Sequence, residues 1–527
     1  MANIVKQPCD EGVIRSQPCI APCGANAKIW VLLATILGSS MAYIDSTIVN
    51  VALPTLQGEL AATVTDAQWI VESYALFVAA LILVGGVLGD RFGRRRVFTI
   101  GVALFALASA WCGFAPNVQQ LIWARGVQGV GGALLIPGSL AIISATFTRE
   151  QRGSAIGLWS GFTAITSAIG PVLGGWLIEN TSWRWMFFMN LPLAVIILGI
   201  SFWRVPESRD EEATPHLDWL GALLAVVGLG GVVYGLIESA TLGFSHPVVL
   251  IAIALGSVSL GAFIFTEFHV AAPMMPPKLF RSRTFSGTNL LTLLLYAALS
   301  GALFFLPFNL IQVQGYSPTA AGAALVPFPI IMFLLSRWSG GLVDRYGARL
   351  PLIVGPIIAA AGFGLMAVPG TDGSYWITFF PAVVVLGLGM AVCVAPLTTA
   401  VMDAVKVRNA GVASGVNNAV SRVAGLLAIA IFGIVVLNTF NTRLNQQIAP
   451  LNLSPEAQQF LDAQRINLAA AEVPPGLSSA VDATLREAIA LSFVDSFRLV
   501  MLIATGLAIA SAVIASLMIS GKRSSRT

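Results

Sequence analysis

Charged residues are scarce in this sequence. Asp, Glu, Lys and Arg together make up 10% of its 527 residues, whereas hydrophobic residues make up 56%. Soluble domains carry about 25% charged residues, so this composition excludes an ordinary soluble enzyme or nucleic-acid-binding module. Hydrophobic runs of about 20 residues, each long enough to cross a bilayer as a helix, instead follow one another along the chain. We predict about fourteen such spans, centred near Leu37, Val78, Leu107, Leu134, Ala164, Val195, Val226, Ala254, Leu295, Pro329, Ala359, Val385, Ala424 and Gly506.

Residues that carry catalytic chemistry are also few. The chain has 3 histidines and 5 cysteines, with no Ser-His-Asp set and no metal-ligand spacing. Its only Gly-Lys pair, Gly521 and Lys522, is followed by arginine, which excludes a Walker phosphate-binding loop. Cys9, Cys19 and Cys23 lie in a polar N-terminal tail, with a spacing that fits no standard zinc finger. We therefore predict that the protein is not an enzyme and that it holds no metal or cofactor.

The distribution of Lys and Arg predicts the orientation in the membrane. Cytoplasmic connections carry an excess of these residues, and here they fall in every second connection, from Arg91–Arg96 to Lys522–Arg526. The intervening connections are almost free of them, apart from Arg184 and one long final loop. No cleavable signal precedes the first run, because the first 28 residues are polar. We therefore predict a multi-pass protein of the cell (inner) membrane with both termini in the cytoplasm.

A short motif of glycine, aspartate and arginine occurs twice between hydrophobic runs. The first copy consists of Gly86, Asp90, Arg91, Gly93 and Arg94, and the second of Gly340, Asp344, Arg345 and Gly347. The copies are about 254 residues apart (344 minus 90), and eight predicted spans separate them, so both face the cytoplasm. Such a repeat indicates two parallel six-helix bundles joined by two extra helices. We interpret the motifs as gating loops, whose aspartate pairs with arginine or with a helix N-terminus when the cytoplasmic gate is closed.

The hydrophobic pattern divides the chain into units. We predict a cytosolic tail over residues 1–28, a first bundle over 29–204, two extra linker helices within 205–283, a second bundle over 284–521 and a cytosolic tail over 522–527. A long hydrophilic connection, residues 438–492, interrupts the last pair of spans and lies outside the cell by parity. Ser454, Pro455 and Glu456 start a helix there, Pro474–Gly476 break the chain, and a second helix begins at Ser479, so we predict an external helical hairpin. It is either a simple tether or a lid or docking surface.

Two acids and an arginine lie inside the first, second and fourth spans. Arg125 lies well within the fourth span, where an arginine costs several kcal/mol unless it is paired or hydrated. Asp45 in the first span lies at a matching depth, roughly 10 to 12 Å at about 1.5 Å per residue, and is the candidate partner. An acid beside a mobile cation is a proton switch, and the alternative is a static ion pair. Glu72 lies at a shallower depth; it either binds protons or cationic substrate, or it is structural.

Other polar and small residues inside the spans form two groups. The candidate cavity-lining residues are Asn50, Gln128, Asn417, Asn418 and Arg422. For the cluster around Arg422, a helix-packing network is an equal alternative. The small residues of the fifth span, which allow close helix packing and a bend, are Gly170, Pro171, Gly174 and Gly175.

At these positions the sequence resembles the major facilitator superfamily, and within it the fourteen-helix drug:proton antiporters of the EmrB/QacA type. The resemblance covers almost all of the chain from Ile29 to Ser520. It rests on the Asp45–Pro54 segment of the first span, the Asp90 loop, the Arg125 segment, the Gly170–Gly175 motif and the Trp183–Pro192 segment before the sixth span. The sequence departs from the family pattern at Thr166, where many members have glycine, and at Ala348, where the first loop has Arg94.

The resemblance implies an all-α membrane protein with the major-facilitator fold, two six-helix bundles plus two extra central helices. It also implies that Asp45 and Arg125 take part in proton coupling and that the Gly170–Gly175 motif belongs to an exporter. We therefore expect a proton-coupled exporter of hydrophobic, cationic or amphipathic compounds that works by alternating access. The alternatives are a dedicated exporter of one endogenous metabolite, such as an antibiotic, lipid or siderophore, and a membrane sensor without transport activity. The expected partners are protons, a small-molecule substrate, the lipid bilayer and, as a candidate, a periplasmic adaptor; we expect a monomer and no nucleic-acid partner.

Overall fold

The protein is built from membrane-crossing α-helices. The computed structural model describes residues 25–209, 218–270, 273–405, 410–451 and 453–520. Within these ranges the regular structure is helical, without a strand, and 14 helices are long and apolar enough to cross a membrane. This confirms the predicted fold class and the predicted number of spans. The cysteines of the N-terminal tail lie outside the described residues.

The helices form two bundles and one additional pair. The first bundle consists of α1 (Ala25–Leu60), α2 (Val64–Phe92), α3 (Arg94–Phe114), α4 (Val118–Thr146), α5 (Arg149–Asn180) and α6 (Asn190–Arg204), with a one-turn helix at Trp185–Phe188. The additional pair is α7 (Trp219–Leu242) and α8 (Pro247–His269). The second bundle consists of α9 (Arg283–Phe308), α10 in two segments (Pro318–Ala324 and Pro327–Tyr346), α11 (Arg349–Met366), α12 (Phe379–Asp403), α13 (Ala410–Ile448) and α14 (Ser479–Met518). A π-helical turn, Asn309–Val313, extends α9.

The additional helices lie against the seam between the two bundles. Helices α7 and α8 pack on each other at Gly231, where an added β-carbon would overlap backbone atoms of α8. Helix α7 also contacts α2 of the first bundle and α13 of the second. Leu76, Val233 and Leu426, from these three helices, share one buried apolar cluster. The extra pair is thus fixed at the α2–α13 seam by apolar packing.

The repeated glycine motif makes the same kind of turn in both bundles. Gly93 joins α2 to α3 with φ +110, and Gly347 lies between α10 and α11 with φ +74. Residues with a side chain rarely adopt such backbone angles, whereas glycine does so without steric cost. We call the end of the molecule that holds these two turns, with the arginines of Arg91–Arg96, the basic end.

The two bundles contact each other at the opposite end. Gln312 Nε2 of the second bundle donates a hydrogen bond to Gln57 Oε1 of the first at 2.8 Å. The backbone N–H of Thr319 donates to the Glu179 carboxylate at 2.9 Å. Helices α5 and α10 also approach closely, because Gly322 faces a backbone carbonyl of α5 with no room for a side chain. The bundles are therefore closed against each other at this end.

The long connection before the last helix is shorter than the hydrophilic sequence suggests. Helix α13 continues to Ile448 and α14 begins at Ser479, so both helices extend well into residues 438–492. Between them, the short helix Pro455–Gln464 is capped by the Ser454 side chain, which accepts from the Ala457 N–H group at 3.2 Å. The following turn, Arg465–Ala470, contacts α1 and α2 as well as the π-helical turn after α9. The connection therefore lies over the end where the bundles meet.

Replacement of Gly322 by valine is expected to separate the bundles at this end. Overpacking of this kind costs about 1–3 kcal/mol, which shifts a two-state equilibrium roughly 5- to 150-fold. In a Thr319→Cys background, the introduced thiol should then react severalfold faster with a bulky water-soluble maleimide. Gly153→Val is the matched control, because nothing lies within 4 Å of a β-carbon placed there. Equal labelling rates in the Gly322 and Gly153 variants would contradict the close contact.

Candidate functional site

The centre of the first bundle holds a buried ion pair between α1 and α4. Asp45 is 0% exposed and Arg125 is 1% exposed. The Arg125 Nη1 group donates a hydrogen bond to the Asp45 Oδ2 atom, and its Nε group donates to the Ile70 carbonyl oxygen of α2 at 3.1 Å. The matching depths predicted from the sequence thus correspond to a direct contact.

Two amide side chains bind the other oxygen of Asp45. Gln128 Nε2 donates to Asp45 Oδ1 at 2.8 Å, and Asn190 Nδ2 from α6 donates to the same atom at 3.2 Å. Gln128 Oε1 also accepts from Arg125 at 2.7 Å, which closes a ring of three side chains. Asn190 donates further to the Ser109 hydroxyl of α3 at 2.9 Å. The structure therefore places Gln128 within the ion-pair network, whereas the sequence made it a candidate for a cavity surface.

Aromatic rings cover the guanidinium group. The Arg125 guanidinium carbon lies 4.5 Å from the ring centroid of Tyr74 and 5.9 Å from that of Phe187. Stacking on a ring stabilises a cation that has lost its water, and the hydrogen bonds of Asp45 and Arg125 offset part of the desolvation of both charges. A proton on Asp45 would remove the negative charge that balances Arg125.

Glu72 lies apart from this network. One turn before it on α2, Gln68 donates to the Ile429 carbonyl of α13 at 2.7 Å, and the Trp69 indole donates to Glu238 of α7 at 3.0 Å. Glu72 shares this side of α2, so it is directed toward the seam with α7 and α13. It is 0% exposed, and within the described part of the chain neither of its carboxyl oxygens has a hydrogen-bond partner.

The remaining candidate cavity residues lie in different surroundings. Asn417 is buried and donates to Asn289 at 3.1 Å and to Thr292 at 2.8 Å, so it joins α13 to α9. Asn417 thus belongs to a helix-packing network, the alternative to a cavity surface that the sequence left open. Asn50, Asn418 and Arg422 are partly exposed, which leaves them available to a space between the helices. Neither Asn418 nor Arg422 is joined to Asn417 by a side-chain hydrogen bond in the described residues.

The gating motifs form local contacts at the basic end. Asp90 Oδ1 accepts from Arg94 Nε at 2.8 Å, as the motif suggests. The Arg91 guanidinium lies over Phe92 at 5.1 Å, and at the equivalent position of the repeat Arg345 lies over Tyr346 at 5.4 Å. The side chain of Asp344 lies outside the described residues.

Glu207 holds the start of α3, a role that the sequence did not reveal. Its carboxylate accepts from the backbone N–H groups of Arg95 at 3.0 Å and Arg96 at 3.2 Å, and both arginine side chains pair with it. The first N–H groups of a helix lack partners within the helix and attract anions. The acid that satisfies the helix N-terminus is therefore Glu207, and Asp90 pairs with arginine.

The small residues of α5 face both bundles. An added β-carbon on Gly170 would overlap Thr47 of α1, and one on Gly174 would overlap Ile48 of α1. On Gly175 it would overlap backbone atoms of Pro318 in α10, and the Pro171 carbonyl faces α10 as well. The motif thus permits close contact of α5 with α1 and, across the bundle interface, with α10.

The second bundle also contains an apolar cleft that is separate from the ion pair. Its volume is about 610 Å³, and it lies between α10 and α12. Tyr375 lines it and donates to the Ala324 carbonyl at 2.9 Å. Burial raises the pKa of Tyr375 above its usual value, so its hydroxyl group remains a neutral donor at physiological pH. The cleft offers apolar surface without a charged group.

Loss of one member of the ion pair is expected to destabilise the protein more than loss of both. Asp45→Asn leaves Arg125 buried without its counter-charge, which costs about 3–5 kcal/mol. The combination with Arg125→Gln removes both charges, and its unfolding temperature in detergent should recover toward that of the wild type. Arg443→Gln, which breaks the exposed pair with Asp495, is the control and should change the free energy of unfolding by about 0–1 kcal/mol. Strictly additive losses in the double variant would refute the interaction.

Comparison with known proteins identifies the family. Residues 35–429 match the family model of the Major Facilitator Superfamily. The chain is 34% identical over 417 residues to the multidrug resistance protein Stp of Mycobacterium tuberculosis (strain CDC 1551 / Oshkosh), covering 78% of this chain and 76% of the relative. It is 32% identical over 499 residues to the tetracenomycin C resistance and export protein of Streptomyces glaucescens, covering 93% of this chain and 92% of the relative.

Solved structures share the fold at low sequence identity. A bacterial homologue of the human lysosomal transporter Spinster, in an inward-facing and unoccupied conformation, matches with a TM-score of 0.67 at 17% identity, over 94% of this chain and 99% of that chain. The xylose transporter XylE from E. coli matches with a TM-score of 0.56 at 15% identity, over 94% of this chain and 98% of that chain. Family model, relatives and fold agree. The chain therefore belongs to the major facilitator superfamily, in the fourteen-helix drug:proton antiporter branch that its residues resemble.

Proposed function

We propose that the protein is a proton-coupled exporter, which moves hydrophobic, cationic or amphipathic compounds across the membrane by alternating access. The observation that carries this proposal is the fully buried Asp45 carboxylate, whose oxygens are bound by Arg125, Gln128 and Asn190. An ionisable group inside a membrane-spanning segment marks an ion or proton pathway by default. The relatives named as resistance and export proteins support the direction of transport.

Protonation of Asp45 is the proposed switch. A neutral carboxyl group no longer balances the Arg125 charge and is a weaker acceptor, so the guanidinium keeps only the Ile70 carbonyl and the Gln128 amide oxygen as full-strength acceptors. The five helices that share this network, α1, α2, α3, α4 and α6, then lose part of the force that fixes them. A change in this packing alters the balance between the open and closed arrangements of the two bundles.

We also propose an orientation and a division of labour. The basic end faces the cytoplasm of a cell (inner) membrane, with both termini inside, because Arg91–Arg96 lies there. With this orientation, the contact between Gln57 and Gln312 closes the outer end. The bundles over residues 29–204 and 284–521 move against each other, and the extra helices within 205–283 remain at the seam. One chain contains both bundles and the complete network, so a monomer suffices.

Glu72 is the proposed second proton-binding group. A bare carboxylate without hydrogen bonds in that buried position would cost several kcal/mol, so its carboxyl group should hold a proton in this conformation. Because Gln68 links the same side of α2 to α13 across the bundle interface, separation of the bundles would expose Glu72 to water. The group is therefore placed to exchange its proton when the bundles move.

A dedicated exporter of one endogenous metabolite is the second candidate function. One of the relatives is named a tetracenomycin C resistance and export protein, and its similarity covers 93% of this chain. The same proton switch serves both functions, and they differ in the breadth of compounds that the space between the bundles accepts. A panel of compounds in the transport assay below separates a broad exporter from a dedicated one.

The first test follows proton movement in energised inside-out proteoliposomes with a pH-sensitive dye while lipophilic compounds are added. Wild-type protein should release protons on addition of a substrate, and Asp45→Asn should abolish this release. Substrate exchange without a pH gradient should persist in the variant, because binding does not require the proton. Asp482→Asn, on an exposed pair with Arg486, is the matched control. Proton release by Asp45→Asn at the wild-type rate would overturn the assignment of Asp45.

Glu72→Gln tests the second group. Glutamine has the size and neutrality of a protonated glutamate, so the unfolding temperature should change little. If Glu72 exchanges a proton, the variant should lose one titration from the pH profile of transport and move fewer protons per substrate. Glu238→Gln is the control, since that neighbouring acid binds the Trp69 indole instead. An unchanged pH profile and stoichiometry would assign Glu72 a purely structural role.

A further inference from the structure

Arg422 lies on the face of α13 that meets the first bundle. Two contacts fix the register of this seam: Gly415 of α13 lies beside Leu83 of α2, and the Ile429 carbonyl accepts from Gln68. Arg422 lies midway between these contacts and on the same face, because it is two helical turns after Gly415. It is thus directed toward the boundary between the bundles.

The depth of Arg422 places it near the middle of the membrane. It lies 12 positions after Ala410, where α13 begins (422 minus 410), which corresponds to about 18 Å at the helical rise. The hydrocarbon core is about 30 Å thick. An arginine at that depth is costly unless it is paired or hydrated.

Arg422 has no protein partner within the described ranges. Its side chain takes part in no hydrogen bond or ion pair there, and its Nε group is buried without an acceptor, while the residue as a whole is partly exposed. The contrast with Arg125 is clear, because Arg125 lies at 1% exposure with a carboxylate, an amide and a carbonyl as acceptors. Arg422 is therefore an unsatisfied donor that is partly exposed at the boundary between the bundles.

The groups near Arg422 leave its charge uncompensated. Asp45 is already occupied by Arg125 and two amides. Glu72 makes no ion pair with Arg422, and the seam contacts place it about one turn away along α2. Arg422 therefore presents an uncompensated positive charge at the boundary between the bundles, next to the buried apolar cluster that contains Leu76 and Leu426.

We propose that Arg422 is the substrate-binding residue for an acidic group, so that the compounds exported include amphipathic molecules with a carboxylate, phenolate or enolate beside an apolar body. A planar guanidinium with free donors binds such an oxygen through charge-assisted hydrogen bonds. Separation of the bundles in the proposed transport cycle would uncover apolar side chains of the seam, such as Leu76 and Leu426, which would then contact the rest of the molecule. This inference rests on the proposed transport function and narrows the substrate class within it.

The test uses a matched pair of probes with purified protein in inside-out proteoliposomes. Dansylphenylalanine carries a carboxylate, and its primary amide is the same molecule without charge. Wild-type protein should take up the acid with the lower KM. Arg422→Gln should raise the KM for the acid about ten- to a hundredfold, the range for loss of a charged hydrogen bond, and leave the KM for the amide unchanged. Arg422→Lys should retain part of the preference, because it retains the charge.

Control variants and a second readout separate the alternatives. Arg486→Gln removes an exposed positive charge of α14 and should not alter the preference. Uptake of the amide but not of the acid by the wild-type protein would overturn the inference. An equal decrease in the uptake of both probes by the Arg422→Gln variant would also overturn it, because it would indicate that Arg422 supports the contact between the bundles. The inference would also be overturned if the wild-type protein transported lipophilic cations but took up neither the acid nor the amide.

Binding of the acid to the detergent-solubilised protein, measured by dansyl fluorescence, does not depend on transport. If binding weakens in Arg422→Gln while no compound elicits proton movement in the wild type, the proposed function fails and the anion site stands. If proton movement occurs but the acid binds equally well with and without Arg422, the anion site fails and the proposed function stands.

Discussion

The buried pair of Asp45 and Arg125 is the interaction on which the first bundle depends. Neither charge is stable in hydrocarbon alone, and each is retained because the other lies beside it with further hydrogen bonds from neighbouring groups. That requirement fixes α1 and α4 at contact distance. It also brings α2 close, because Gly129 of α4 lies directly on the backbone of Tyr74, which places the Ile70 carbonyl within reach of the guanidinium. A side chain at position 129 would separate α2 from the pair.

The second bundle pairs charges near its surface, as in Arg443 with Asp495. Its central polar contact is neutral and joins Asn417 of α13 to Asn289 and Thr292 of α9. A neutral network gains or loses little when a proton binds elsewhere, so we expect this contact to persist through the proposed transport cycle. In the proposed function, the proton-dependent step therefore belongs to the first bundle. The contacts between the bundles, such as the amide pair of Gln57 and Gln312, are individually weak, as a reversible closure requires.

Features that depend on one helix could be predicted from the sequence. The depth of Asp45 and Arg125 follows from the constant rise of an α-helix, and the turn at Gly93 follows from the residue type. Features that depend on the neighbour could not. The direction of Glu72 is set by where α7 and α13 pack, and Glu207 reaches the start of α3 from a connection 112 positions later in sequence.

The connection between α13 and α14 shows a related limit of sequence reasoning. Hydropathy marks only the part of a helix that lies in lipid, whereas backbone hydrogen bonds continue wherever the sequence permits. The extension of α13 to Ile448 was therefore missed, whereas the predicted helix from Ser479 is confirmed as the start of α14. The helix start at Ser454 was predictable, because capping is a local property.

The charge of the exported compound determines how much of the membrane potential such a protein uses. Entry of one proton down 100 mV supplies about 2.3 kcal/mol. Exit of a monovalent cation in exchange cancels this electrical contribution, whereas exit of a monoanion doubles it to about 4.6 kcal/mol. An uncompensated Arg422 therefore suits compounds that an interior-negative potential already drives outward.

Protonation of Asp45 would make the surroundings of Arg422 more positive and would strengthen anion binding. Antiport therefore requires that the proton and the anion bind to different conformations of the protein. Movement of the bundles along the α2–α13 seam supplies that separation, because Asp45 belongs to one bundle and Arg422 to the other.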